Sequence, residues 1–148
     1  MNQPIKYQIT LPFPRSVNQI WRVARPPAQK ALQSKQPPLL EALRKPRRYV
    51  YRDASYVAWI KRSDAAWMAQ KAPGRPACIE GKFDIRITLY PSNRKRRDPD
   101  NCAKVILDWL VRAELIRDDS LCHSVLTTLD EVRPDTSCCV VELEEYQP

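Results

Sequence analysis

Apolar and polar residues alternate along four stretches of the chain, and this period is typical of β-strands with one buried face. The clearest stretch is 82–90, in which every second residue from Phe83 to Leu89 is apolar. Residues 5–11 alternate in the same way and end at prolines, which suit a strand end. The last two predicted strands are 125–132 and 138–143, with a turn at Pro134-Asp135 between them.

Helical spacing of apolar residues appears in two segments. The first is 49–71, which is ended by Pro73-Gly74. The second begins at Asp98-Pro99, because aspartate suits an N-cap and proline the first helical position, and it runs to about Glu114. The sequence therefore predicts one helix before and one helix after the clearest strand.

The second predicted helix has two unlike faces. Apolar residues group on one side of its helical wheel, and Asp100, Lys104 and Asp108 group nearly opposite. Leu107 and Val111 intrude on this polar side. We expect them to mark a second buried surface and treat them as a candidate dimer contact.

The order of the predicted elements indicates an α+β protein with a small mixed or antiparallel sheet and helices packed on one face. A chain of 148 residues fits one domain, covering 1–148. Residues 25–48 are rich in Pro, Gln and Lys and have no sustained period, so we expect a basic mobile arm there, poorly ordered without a ligand.

Positive charge is segregated along the chain. The formal net charge is +8 at pH 7, and the pI is near 9.4. Residues 22–52 hold nine basic side chains and one acidic one, and a second basic run, 94–97, directly precedes a group of acids. Segregated positive charge favours a nucleic-acid partner over a merely solvated basic surface.

Composition disfavours several other functions. No segment is long and apolar enough to span a bilayer and the start lacks the order of a signal peptide, so we expect a cytoplasmic protein, nucleoid-associated when bound to DNA, with no membrane partner. Two glycines are too few for a phosphate-cradling loop, so no nucleotide cofactor is expected. The five cysteines lack a Cys-x-x-Cys pair and are expected as reduced thiols. The single histidine, His123, has no nucleophile marked near it, which disfavours serine–histidine catalysis.

Four aspartates remain as candidates for chemistry: Asp98 and Asp100 at the predicted strand-to-helix junction, and Asp118-Asp119 just beyond that helix. Mg²⁺ prefers hard oxygen ligands and is commonly held by a few carboxylates and completed by substrate phosphate. A shared site requires the loop after the helix to return beside the first pair, which spacing alone does not establish. Taken singly, Asp98 also suits an N-cap and Asp118-Asp119 a turn, while Lys104 suits an ordinary i,i+4 surface pair.

The charged residues from 96 to 119 form an ordered motif: Arg96-Arg97-Asp98-Pro99-Asp100-Asn101, then Lys104, then Asp118-Asp119. This order and spacing resemble the core motif of the RusA family of Holliday-junction resolvases, the crossover junction endodeoxyribonucleases. Residues 11–18 also resemble that family's first strand and the proline-rich Ser/Asn turn after it. The long basic arm and Trp109 depart from the compact members of the family.

The resemblance implies a RusA-like fold and a Mg²⁺-dependent, structure-specific DNA endonuclease that resolves Holliday junctions in recombination and repair. It implies that Asp98, Asp100 and Asp119 hold catalytic Mg²⁺, with Mn²⁺ able to substitute, and that Lys104 is the essential basic side chain beside them. It also implies a homodimer acting on branched DNA, the four-way junction, with cuts in opposed strands.

Basic residues around this motif and in the arm are candidates for phosphate contacts, which position DNA without reading its sequence. Such contacts give an affinity that falls steeply with salt. The candidate DNA-binding residues are Arg15, Asn18, Arg47, Arg48, Arg94, Lys95, Arg96 and Arg97.

Two other functions remain open at this point. In the first, the chain is a non-catalytic basic DNA-binding protein in which Asp98 only caps a helix. In the second, the same metal chemistry acts on other branched nucleic acids, such as flaps or forks, or on RNA.

Overall fold

The computed structural model describes residues 5–24, 49–74 and 76–148. The predicted arm at 25–48, with Arg47 and Arg48, lies outside the described residues. Two short 3-10 turns, Val17–Gln19 and Asp119–Leu121, are present. The longer elements, in chain order, are β1 (Lys6–Pro12), β2 (Trp21–Ala24), β3 (Tyr49–Arg52), α1 (Ala54–Gln70), β4 (Phe83–Tyr90), α2 (Asp100–Arg112), β5 (Cys122–Leu129) and β6 (Cys138–Glu145).

The main sheet has four strands in the order β1-β6-β4-β5. Strand β6 runs antiparallel to both β1 and β4, whereas β5 runs parallel to β4. A parallel neighbour cannot be reached through a tight hairpin, so the chain crosses over through α2 between β4 and β5. The prediction of an α+β fold with a mixed sheet is confirmed.

Alternation along the strands separates an apolar face of the sheet from a polar one. On the apolar face, Ile87 and Val141 are neighbours on β4 and β6 and are fully buried. On the other face, Arg86 lies 3.8 Å from Glu142 in an ion pair between the same two strands. Both helices contribute to the core that covers the apolar face, as expected from the sequence. No helix in the described ranges has the length and apolar character needed to cross a membrane.

Helix α1 begins later than its periodicity predicts. Residues 49–52 form β3, which pairs antiparallel with β2 in a separate two-stranded ribbon. Asp53 then caps the helix by accepting a hydrogen bond from the backbone N–H of Ser55 at 2.9 Å. The prediction of helix was therefore wrong for residues 49–52. These residues pair with β2, which lies more than 20 residues earlier in the chain, and such a distant pairing is not visible in the local spacing of apolar residues.

Helix α2 is close to its predicted extent, and its end explains how the chain turns back. Glu114 has a left-handed backbone with φ of 58°. The Leu115 N–H then bonds to the carbonyl of Leu110 at 3.0 Å, which closes a Schellman turn. The chain therefore leaves α2 in a fixed direction.

Leu107 and Val111 do mark a second buried surface of α2, but the chain itself fills it. Leu107 is buried, and Val111 packs against the same core. The interpretation of these residues as a dimer contact is therefore corrected.

Candidate active site

The N-terminus of α2 places Asp98 and Asp100 next to each other. Asp98 accepts a hydrogen bond from the backbone N–H of Asp100 at 3.3 Å through Oδ1. Through Oδ2 it accepts one from the side-chain amide of Asn101 at 2.9 Å. Asp98 therefore caps the first turn of α2 through these bonds, but the N-cap position is held by Pro99, one residue later than predicted, and α2 begins at Asp100. Both carboxylates are exposed, so a ligand can reach them from solvent.

Lys104, one helical turn after Asp100, links α2 to the second part of the motif. Its ammonium donates to Asp108 Oδ1 at 2.6 Å and also to Asp119 Oδ2. The hydrogen bond that Lys104 donates to Asp108 first, and then the one that it donates to Asp119, raise the pKa of Lys104 above its ordinary value. Lys104 therefore carries a stable positive charge between two carboxylates.

The segment after α2 brings the chain back beside that helix. Leu115 and Ile116 are buried, and the Ile79 N–H donates to the Leu115 carbonyl at 2.9 Å. With this segment fixed, the following 3-10 turn carries Asp119 to Lys104. The loop therefore returns to Lys104, one helical turn after Asp100, and its approach to Asp98 and Asp100 themselves stays a prediction.

Asp118 and Asp119 differ in their contacts. Asp118 caps the 3-10 turn by accepting a hydrogen bond from the Ser120 backbone N–H at 2.8 Å. Hydrogen bonds from Ser120 lower the pKa of the Asp118 carboxyl. Asp118 is thus a turn residue, and Asp119 is the member of the pair that contacts Lys104.

The candidate ligands fit a divalent cation in their chemistry. Asp98, Asp100 and Asp119 offer only carboxylate oxygens, which Mg²⁺ prefers. Asp100 lies about 6 Å along the helix axis from Lys104, which contacts Asp119. Across the described ranges, however, no group of three or more Asp, Glu, His or Cys side chains is placed to hold one ion. The three aspartates therefore lie along the start of α2 without closing on a shared centre.

Sequence reasoning missed Asp108 as part of this site. On the helical wheel Asp108 lies on the same side as Asp100 and Lys104. An i,i+4 pair between Asp108 and Lys104 is common on helix surfaces, so this position alone does not indicate a functional role. The signal that would have singled it out is the approach of Asp119 to the same lysine, which only the folded chain reveals.

The candidate DNA-binding residues fall into two groups. Arg94, Lys95 and Arg96 are exposed in the loop before α2, and Arg15 and Asn18 are exposed in the segment after β1. The structure thus brings these two segments to the same end of α2.

Arg97 has a different place from the other residues of its basic run. Its guanidinium donates to the Asn93 backbone carbonyl at 2.8 Å and to the Asn93 side chain at 2.9 Å, and it lies 5.3 Å from the ring centre of Phe13. Arg97 therefore braces the loop that leads into Asp98.

In the described part of the chain, the candidate nucleophilic side chains are poorly activated for attack. Cys102 is buried beside the site, and burial raises the pKa of its thiol to about 11, so the thiolate is scarce at neutral pH. On the opposite face of the sheet, His123 lies 3.0 Å from Asp84, and the Ser124 hydroxyl donates to the same carboxylate. Among the described contacts, Ser124 has no hydrogen bond to His123. This geometry favours water as the attacking group.

Comparison with known families gives a match that spans most of the chain. The family model described as Endodeoxyribonuclease RusA matches residues 34–143, and this range contains the whole motif from Arg96 to Asp119. A comparison with curated proteins returned no match. The extent of the family match, together with a mixed sheet that carries the motif on one helix and the turn after it, shows that the chain belongs to the RusA family of endodeoxyribonucleases.

Proposed function

We propose that this chain is a structure-specific endonuclease that resolves Holliday junctions in recombination and repair by hydrolysing phosphodiester bonds in opposed strands. Membership of the RusA family supplies the reaction class. The observation that carries the proposal is the contact between Lys104 and Asp119, because it joins two parts of the motif that are distant in the sequence.

Asp98, Asp100 and Asp119 are the proposed ligands of a divalent cation, Mg²⁺, for which Mn²⁺ can substitute. Their hard oxygens, the exposure of Asp98 and Asp100 at the start of α2, and the contact of Asp119 with Lys104 on the same helix support this assignment. Such a cation, when bound, polarises a phosphoryl oxygen and lowers the pKa of a bound water.

Lys104 supplies a fixed positive charge at the reacting phosphate in this proposal. Its raised pKa keeps the ammonium protonated throughout the neutral and moderately alkaline range. Asp108 holds the ammonium at 2.6 Å from within the same helix, so Lys104 keeps its position when Asp119 serves as a ligand. A preorganised charge of this kind favours a transition state in which charge develops on the phosphoryl oxygens.

The flanking basic residues would attract DNA to an otherwise acidic site. Arg15, Asn18, Arg94, Lys95 and Arg96 are exposed and are proposed to contact phosphates, while Arg97 orders the loop and adds its charge. Attraction between these cations and the backbone offsets repulsion between DNA and the aspartates. The affinity for DNA should therefore fall steeply as salt increases.

A homodimer, which two symmetric cuts require, is proposed to form through the edge strand β5. Strand β5 pairs only with β4 among the described strands, so its other edge is open. Three apolar side chains on it, Val125, Leu126 and Leu129, are 46%, 50% and 46% exposed. The strand contains no Asp, Glu, Lys or Arg, so two copies can pair without like-charge repulsion.

The experiment that tests the proposed function is a cleavage panel with the wild-type chain. A four-way junction, a fork, a flap, linear duplex and RNA are compared with Mg²⁺, with Mn²⁺ and with EDTA. We expect paired nicks in opposed strands of the junction with either metal, and none with EDTA. Equal cleavage of linear duplex, or cleavage in EDTA, would contradict the proposal.

A further inference from the structure

A cavity of about 550 Å³ opens next to Asp98, at the end of α2 where the motif begins. Four parts of the chain that are distant in sequence form its wall: the segment 12–19 from the end of β1, Arg62 of α1, the segment 92–102 that leads into α2, and Ser137 between β5 and β6. The charged side chains in the wall are those of Arg15, Arg62, Arg96, Arg97 and Asp98, and the amide side chains are those of Gln19 and Asn101. We refer to the four arginines together as the arginine pocket.

Positive charge in the arginine pocket is poorly compensated. Throughout the described ranges, no acidic side chain forms an ion pair with Arg15, Arg62 or Arg96. Arg97 donates to the neutral acceptors of Asn93, so those hydrogen bonds do not offset its positive charge with a carboxylate. The one carboxylate in the wall, Asp98, already accepts hydrogen bonds from the start of α2. The pocket therefore has a net positive potential.

These properties suit a phosphodiester and suit few other ligands. Guanidinium groups bind phosphate oxygens through paired, charge-assisted hydrogen bonds. An apolar group would remove the arginines from water without giving them a partner. Because the pocket shares Asp98 with the proposed metal site, a strand cut at that site must pass it.

We propose that the arginine pocket binds the phosphodiester next to the scissile one on the cleaved strand, and that Arg62 is the residue that fixes this phosphate. This inference rests on the proposed function, and it adds a residue of α1 that the charged motif from 96 to 119 does not contain. Neither Lys104 nor Asp119 lines the pocket, so a phosphate bound there lies beside Asp98 but outside the contact between those two residues.

Arg62 is better placed for this role than the arginines of the loops. It belongs to a helical turn whose neighbours Trp59 and Ser63 are both 0% exposed, so its backbone is anchored in the core. Arg96 belongs to a loop of consecutive exposed residues. A cation on an anchored helix loses less conformational freedom on binding than one on a loop.

The test uses Lys61→Ala as a matched control for Arg62→Ala. Both residues are exposed on α1 and carry one positive charge, but only Arg62 lines the pocket. Binding of a short single strand and of a four-way junction is measured by fluorescence anisotropy without metal, over a range of salt. We expect Arg62→Ala to weaken both affinities about 10-fold and to reduce the salt slope by about one, whereas Lys61→Ala changes each less than about twofold.

A neutral methylphosphonate at the phosphate next to the scissile one locates the contact. It should weaken binding by wild type and by Lys61→Ala clearly more than binding by Arg62→Ala, because that variant has already lost the contact that fixes this phosphate. Equal affinities of the two variants, or equal sensitivity to the methylphosphonate, would contradict the proposal that Arg62 binds this phosphate in the arginine pocket. Failure of the wild type to cut junctions would instead overturn the proposed function, since single-strand binding is measured separately.

Discussion

Asp118 and Asp119 are adjacent in the chain but have different roles. The carboxylate of Asp118 is used by its own turn, where it bonds the backbone N–H of Ser120. Asp119 reaches across to Lys104 on α2. Asp119 is the better candidate ligand of the two, because its carboxylate is directed to α2, which carries the other part of the charged motif.

Lys104 gives a direct test at the scale of single residues. Lys104→Ala should lower single-turnover cleavage of a four-way junction about 100-fold, because it removes a preorganised charge and leaves Asp108 and Asp119 without their cation. Lys61→Ala is the control, since Lys61 is an exposed lysine on α1 with no part in the site. Cleavage by Lys104→Ala within a few-fold of wild type would refute the role given to this lysine.

Single residues were predictable where local chemistry decides their role. Asp98 was recognisable as a helix cap because aspartate before proline and a polar first turn is a local pattern. Arg62 was not, because an arginine beside a lysine on a helix has no distinctive neighbour in the sequence. Its position in the cavity depends on α1 packing beside the loops at the start of α2.

At the scale of elements, strands were predictable where one face is buried. Strand β4 alternates along its full length because its neighbours β6 and β5 and the core fix which side chains face inward. Strand β5 was predicted three residues late, at 125 instead of Cys122. As an edge strand it has exposed residues on both faces, so its alternation identifies neither its start nor its buried side.

The open edge of β5 leads to a prediction about assembly. Leu126→Lys should convert a dimer into a monomer in sedimentation velocity and abolish paired cuts, because it places like charges along the proposed interface. Met68→Lys on α1 makes a similar change at a site that is 64% exposed and far from β5 in sequence, and it should stay dimeric. A monomeric wild type, or a dimeric Leu126→Lys, would rule out this interface.

At the scale of the whole molecule, the class of fold followed from the order of the elements, but the order of the strands did not. Four alternating strands and two helices indicate an α+β protein whichever strands become neighbours. The insertion of β6 between β1 and β4 depends on contacts more than 40 residues apart, such as Ile9 with Val141. Pairing over such distances has no local signature.

The same limit explains the partial prediction of the active site. The basic run and the aspartates were visible as one motif, and the family match confirms the class of protein to which that motif belongs. Their arrangement depends on the Schellman turn after α2 and on the anchoring of Leu115 and Ile116, which together return Asp119 to Lys104. The spacing of residues in the sequence does not predict that the chain folds back beside α2 in this way.

Asp119, together with Asp98 and Asp100, is the proposed metal-dependent site that cuts junction DNA. Single-turnover cleavage of a four-way junction in Mg²⁺ by Asp119→Asn and Asp118→Asn tests it most directly, because the two variants make the same change one residue apart. Asp119→Asn should lose at least about 100-fold in rate and still bind the junction. Asp118→Asn should stay within about threefold of wild type, because asparagine caps a turn as well as aspartate does. Full activity of Asp119→Asn, or equal loss in both variants, would contradict the account.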